Sequence, residues 1–166
     1  MKTFILTLLF IYSPLMANTD LQNQRSQSIN TVFNTLSKDT MHLVDEFYDP
    51  NVDFQDPVGK IKGSAAIKKY YENMYKNVQS IRFDFHKEVV TGDAHVVMWT
   101  MHVTAKNLNG GKSVAVEGNS HIVFGPNNKV IYHRDYFDMG EFLYEHIPVL
   151  GYAIKKIKAL FEHKNL

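Results

Sequence analysis

Three short stretches carry the side chains that could do chemistry. In FQDPVGKIKG (54–63), Asp56 stands directly before a proline and three residues before a glycine. Such a stretch makes a turn, because proline presets one backbone angle and glycine supplies conformations that other residues avoid. The same carboxylate, held at a strand end beside an apolar cavity, is also a candidate general base. In VEGNSHIVF (116–124), strand alternation puts Glu117, Asn119 and His121 on one face and Ser120 on the other. In YHRDYFD (132–138) it puts His133, Asp135 and Phe137 on one face and Arg134, Tyr136 and Asp138 on the other. Facing His121 and Asp135 inward together brings an acid, a base and two flanking polar groups, Asn119 and His133, to one wall. That arrangement is favoured here, and it turns Ser120 away. The blander readings stand beside it: His121 as a buried structural histidine, Asp135 paired with Arg134 or Lys129 at an exposed edge, and Asp56 as a turn residue only.

Other chemistries find less support. The chain has no cysteine, which excludes disulfides, thiolate metal sites and a thiol nucleophile. Imidazole and carboxylate at His121, His133 and Asp135 suit zinc or iron. No helical H-x-x-x-H spacing accompanies them, so neither a metal nor a cofactor is expected. His42, His86, His95, His146 and His163 sit among polar or helical neighbours and are expected at the surface. No glycine-rich phosphate loop or G-x-S-x-G elbow occurs. A formal net charge of +1 gives no electrostatic case for nucleic acid as the main partner.

The elements that must position these groups follow from periodicity. Between Leu21 and Asn51, Ile29, Val32, Phe33 and Leu36, then Leu43, Val44 and Phe47, recur at helical spacing. Ser37-Lys38-Asp39 breaks the pattern. Val52 to Asp56 reads as a brief strand, and Gly63-Ser64 opens a third helix with Ile67, Tyr70, Tyr71 and Met74 on its apolar face. From Ile81 onward four stretches rich in β-branched and aromatic residues (81–90, 94–106, 113–124, 130–138) are separated by turn signals. Helices followed by sequential strands predict an α+β domain with a curved, mostly antiparallel sheet wrapped around the helices. Such a sheet encloses a cavity, which Trp99, Met101 and Tyr70 are expected to line.

FYDPNVDFQDPVGKIKGSAAIKKYY (47–71) resembles the corresponding stretch of the Δ5-3-ketosteroid isomerases, and residues 22–138 resemble the wider SnoaL-like, NTF2-like superfamily. The resemblance implies an NTF2-like cone that takes a small apolar ligand or substrate and pairs as a homodimer. One such scaffold hosts isomerases, cyclases, hydrolases and non-catalytic binders. Asp56 falls on the isomerase's catalytic base and Tyr71 on a tyrosine of its hydrogen-bond network. The oxyanion-hole tyrosine falls near Thr31, beside Val32 and Phe33, and the protonated aspartic acid that completes the hole falls at Ser120. With neither donor present, ketosteroid isomerisation by the family's mechanism is not expected. His121 and Asp135 resemble the histidine and aspartate of the SnoaL cyclase, in which the aspartate is the acid/base. An acid/base enzyme acting on an apolar carbonyl compound, an exported binder of a hydrophobic ligand and a dimerising interaction module all remain open.

At 166 residues, 45% hydrophobic and 21% charged, the chain suits one globular domain with a real core. Its ends read differently. MKTFILTLLFIYSPLMA (1–17) has one lysine, an apolar run from Phe4 to Tyr12 and a small residue at Ala17, the layout of a secretory signal peptide. The domain proper is then 18–140, in an exported protein, periplasmic or secreted. Beyond it, 141–166 reads as a helical extension with Leu150, Ala153, Ile154, Ile157, Leu160 and Phe161 on one face and Lys155, Lys156 and Lys158 elsewhere. Such a helix packs on its own domain, lies on a membrane surface or grips a partner, and Pro148 and Gly151 are expected to divide it in two. Intact-mass analysis of protein recovered from its source is expected to place the N-terminus at Asn18; an uncut chain in the cytosol would contradict export.

Overall fold

A computed structural model describes residues 14–161. Two helices, α1 (Pro14–Thr35) and α2 (His42–Phe47), lead into strand β1 (Tyr48–Gln55) and a short β2 (Lys60–Lys62). Helix α3 (Ser64–Met74) precedes four strands: β3 (Val78–Thr91), β4 (Ala94–Ala105), β5 (Val114–Phe124) and β6 (Val130–Phe137). The six strands form one sheet in the order β2-β1-β6-β5-β4-β3. Pairings are antiparallel except β1 against β6, which is parallel. The parallel contact arises because α3 and the β3–β5 meander separate these strands in sequence, so β1 reaches the sheet's other side by a crossover.

Alternation decides what faces inward. Along β4 every second residue is buried, from His95 through Val97, Trp99, Met101 and Val103 to Ala105, while the residues between them are half-buried. On β5 the buried series is Val114, Val116, Ser120, Ile122 and Phe124. Helix α1 lays Ile29 and Val32, and α3 lays Ile67, against this wall, where they join Val44, Phe47, Tyr48, Val52 and Phe54 in the core. A period of two on the strands and of nearly four on the helices thus converge on one apolar layer.

Polar tethers fix α1 at the far end of the sheet. Arg25, buried on α1, donates to Asp93 Oδ1 and to Asn128 Oδ1, each at 2.7 Å, and its guanidinium lies 4.9 Å from the Phe124 ring centre. His95 bonds Glu88 at 2.6 Å and Gln22 of α1 at 2.9 Å. His95 is therefore fully buried rather than exposed. Its position in the inward series of β4, with polar partners on α1 and β3, outweighs its polar sequence neighbours.

Two further expectations are corrected. The first strand begins at Tyr48, four residues before Val52. Gly151 does not divide the tail: after a short α4 (Met139–Phe142) and a 3-10 turn, one helix, α5 (Pro148–Phe161), runs straight through it. Gly151 is buried there because α5 crosses the Glu145 backbone so closely that an added Cβ would lie 2.2 Å from its carbonyl oxygen. The expected leader, residues 1–17, falls largely outside the described residues, as does His163.

Candidate active site

The inner face of the sheet, α1 and α3 enclose a cavity of about 260 Å³. Its wall is mostly apolar, with Phe33, Leu36, Phe54, Met74, Ile81, Phe83 and Met101 among its side chains. Into it project a few polar groups: Tyr48, Asp56, Tyr70, Tyr71, His133 and Asp135. A small apolar chamber with a handful of convergent polar atoms is the usual form of a ligand site, and this one falls just below the usual size range, roughly 300–1,000 Å³.

Asp135 sits at the centre of the polar set. The β5–β6 register places it directly opposite Ser120, with His121 opposite Arg134. Ser120 Oγ donates to Asp135 Oδ1 at 2.5 Å and in turn accepts from Trp99 Nε1 at 2.9 Å. From the other side, His133 Nε2 lies 2.8 Å from the same Oδ1, while its Nδ1 lies 2.7 Å from the Tyr48 hydroxyl. Tyr71 makes a polar contact with Tyr48 in the direction of a donor. The chain has one consistent sense. Tyr48 donates to His133 Nδ1 and His133 Nε2–H to Asp135, so the Nε2–H tautomer is the one the network selects. Burial pushes the Tyr48 and Tyr71 hydroxyls well above the usual tyrosine range, with the charge of Asp135 adding to the shift. Both therefore stay protonated and available as donors.

The consequence falls on Asp135's two oxygens. Oδ1 takes both bonds, whereas Oδ2 receives none from any described residue. The side chain is 17% exposed, at the cavity wall, next to a histidine that is 1% exposed. One oxygen is pinned and the other is open to whatever occupies the cavity.

Asp56 is built differently. Its Oδ1 accepts from the Val58 and Gly59 amides at 2.8 and 2.9 Å, closing the turn, and its Oδ2 accepts from the Tyr70 hydroxyl at 2.5 Å. Turn residue and cavity residue are thus the same side chain. Burial comes first, and the bond to Asp56 second, in raising the Tyr70 hydroxyl far above its ordinary range. Both oxygens of Asp56 are occupied, which suits a group that positions Tyr70 better than one that takes a proton itself.

The expected constellation is therefore only partly assembled. Asp56, Tyr70, Tyr71, Met101, His133 and Asp135 share the cavity. His121 does not: it lies on the opposite face of the sheet, its ring 5.2 Å from that of Tyr132. Asn119 is on that outer face too, paired with Met98 and Tyr136. The cause is a one-residue choice of register, which flips a whole strand's side chains. Trp99 does not line the cavity. It lies behind it, edge-on to Phe83 at 5.2 Å, where its indole nitrogen holds Ser120. Tyr48, which sequence reading did not single out, belongs to the network, and Ser120 replaces His121 as Asp135's cross-strand partner. Among the described residues no group of three or more metal-ligating side chains is suitably placed for an ion.

Comparison with known proteins bears on the same residues. Residues 29–133 match the model of the SnoaL-like domain. The chain belongs to the SnoaL-like domain family. The match takes in the end of α1, α2, α3, strands β1 to β5 and the first half of β6 up to His133, and it stops two residues short of Asp135. Among solved structures, a candidate SnoaL-like polyketide cyclase from Shewanella denitrificans superposes with a TM-score of 0.62 at 16% identity, over 80% of this chain and 98% of that one. An LEH-like epoxide hydrolase of M. tuberculosis gives 0.62 at 15% identity over 81% and 96%. A candidate SnoaL-like isomerase from Agrobacterium tumefaciens gives 0.57 at 16% over 72% and 98%. At these identities the shared property is the SnoaL-like, NTF2-like, ketosteroid isomerase-like fold, and the three chemistries named differ. No curated protein matches the sequence. Function must be argued from the site.

Gly118 provides a handle on the network from outside the cavity. An added Cβ would lie 2.3 Å from the Trp99 ring and 2.7 Å from the Tyr136 carbonyl oxygen. Gly118→Ala is expected to push Trp99 away from Ser120 and to destabilise the fold by about 1–3 kcal/mol, the usual cost of overpacking. Trp99 is the chain's one tryptophan, so its emission reports the change directly. An unchanged spectrum and denaturation midpoint would show that the wall yields without moving Trp99.

Proposed function

We propose that the chain is an acid/base enzyme acting on a small, largely apolar carbonyl compound, with Asp135 moving the proton. One observation carries this reading: on the wall of a mostly apolar chamber, Asp135 has one oxygen fixed by Ser120 and His133 and the other without a hydrogen-bond partner among the described residues. A general base needs reach to the substrate proton and a fixed orientation, and this geometry supports both. The carboxylate would take a proton from the carbon beside a carbonyl and return it to the same or a neighbouring position. His133 and Ser120 would orient the carboxylate throughout, and Asp56 would hold Tyr70 against the substrate's other edge.

A second reading is favoured by a specific feature. The hydroxyls of Tyr48, Tyr70 and Ser120 are all committed to protein acceptors. An enolate oxygen would therefore meet few free donors, and a missing oxyanion donor typically costs about 10²–10³ in rate. A non-catalytic binder of an apolar ligand would tolerate that.

The two readings separate in a deuterium-exchange assay, in which α-proton loss from a panel of small cyclic ketones is followed by NMR in heavy water. Asp135→Asn is expected to lose about 10²–10⁴ of the protein-dependent exchange, whereas Asp56→Asn should weaken binding more than exchange. Exchange lost in Asp56→Asn but kept in Asp135→Asn would move the base to Asp56. Compounds bound by the native protein with no exchange in any case would favour the binder.

A further inference from the structure

Helix α5 is the one long helix of the described chain that leaves its apolar side uncovered. Taking about 100° per residue, Val149, Leu160, Ala153, Ile157, Leu150, Phe161 and Ile154 fall on one continuous arc of roughly 140°. Val149, Leu160 and Phe161 are 83, 81 and 80% exposed, and Ile157 is 56% exposed. The helix touches its own chain from another side. Gly151 packs on the Glu145 backbone, and Lys158 pairs with the Glu145 carboxylate. These contacts fix α5 to the 3-10 turn over Tyr144–His146 and point the arc away from the domain. Tyr144 and Ile147, 40 and 43% exposed, add apolar surface just before it.

The charges say what covers this surface. Between Pro148 and Phe161 there are three lysines and no acidic residue. On the same wheel Lys156 borders one edge of the apolar arc, beside Val149. Lys158 borders the other edge, beside Ile154, and Lys155 lies on the opposite side. Lysines at both edges of an apolar arc match a helix lying in a lipid interface, where their stems run along the apolar surface and their ammonium groups reach the headgroups. A second copy of the helix fits poorly. Self-association through the arc would set lysine edges against lysine edges, with no acid on either helix to meet them. No helix among the described residues is long and apolar enough to cross a membrane, so α5 lies on the surface or nowhere in it.

We propose that α5 is an interfacial anchor that docks the domain on an anionic lipid surface. The bound helix buries its apolar arc among the acyl chains and sets Lys156, at the arc's edge and in no salt bridge among the described residues, against lipid phosphates, while Lys155 faces the solvent. A linker of only five residues, 143–147, joins α5 to Phe142, which lines the cavity. Docking therefore holds the cavity close to the membrane, where small apolar molecules concentrate.

Vesicle flotation of the full chain tests this, with mixed phosphatidylcholine–phosphatidylglycerol vesicles set against pure phosphatidylcholine. The native chain should float with the anionic vesicles and release as salt is raised. Lys156→Gln should weaken that binding roughly five-fold, the effect of one basic residue near an anionic surface, and Lys155→Gln should change it little. Ile157→Asp with Leu160→Asp should lower it roughly tenfold or more on either vesicle. Lys155, Lys156, Ile157 and Leu160 are all exposed, so the variants keep the fold, and all retain the N-terminal segment, so any difference belongs to α5. Equal flotation of the native chain, Lys156→Gln and the Ile157→Asp, Leu160→Asp variant would overturn the proposal. So would a native chain that ignores both vesicles but forms a dimer, measured by sedimentation, that Leu160→Asp dissolves; the occupant would then be a second copy.

Discussion

The two hydrogen bonds that meet on Asp135 Oδ1 set the character of the whole site. A carboxylate on an apolar wall is tolerated only when its lone pairs are met, and the cost of leaving such a group unpaired is several times the net worth of a single bond. Here two donors from neighbouring strands, Ser120 on β5 and His133 on β6, are aligned by the ladder itself. Each is held in turn: Ser120 by the Trp99 indole, His133 by the Tyr48 hydroxyl. The network is satisfied up to one atom, Asp135 Oδ2. Satisfied buried networks are rigid, so the single open position is a fixed one.

The sheet makes this possible because alternation supplies inward polar groups at the same level on adjacent strands. Val97, Ser120 and Asp135 lie in one row across β4, β5 and β6, and Trp99, Gly118 and Phe137 form the next. Gly118 has no side chain so that the Trp99 ring can occupy its place. On β1 the inward series delivers Tyr48 at one end and Asp56 just beyond the other, and α3 brings Tyr70 and Tyr71 across the chamber to meet them. Apolar packing thus determines where each polar group stands, and the polar groups determine what the chamber can hold.

Much of this was legible in the sequence. Long amphipathic and alternating segments marked the third helix and the four long strands, and the resemblance of 47–71 named the fold. Within each strand the faces were assigned as found: His133 with Asp135 and Phe137, and Ser120 opposite to His121. What failed was the choice of which face of β5 looks inward. The favoured pairing followed the chemical appeal of a histidine beside an aspartate. The deciding signal was apolar: Val114, Val116, Ile122 and Phe124 are all even-numbered, and Ser120 belongs to their series. Tyr48 escaped notice because it stands at the junction of α2 and β1, where helical spacing gives way to strand alternation. The parallel β1–β6 contact joins residues some eighty positions apart, and local pattern carries no information about it. His95 shows the same limit, since its partners Glu88 and Gln22 are set by tertiary position alone.

The central claim is that His133 donates through Nε2 to Asp135 while Nδ1 accepts from Tyr48, leaving Asp135 pinned on one oxygen. Nitrogen-15 NMR of the imidazole in the intact protein, assigned by comparison with His133→Gln, reads this directly. The account predicts a ring with the proton on Nε2 and an unprotonated, hydrogen-bonded Nδ1. A proton on Nδ1 with a bare Nε2 would contradict it, because Asp135 would then have lost one of the two donors that hold it in place.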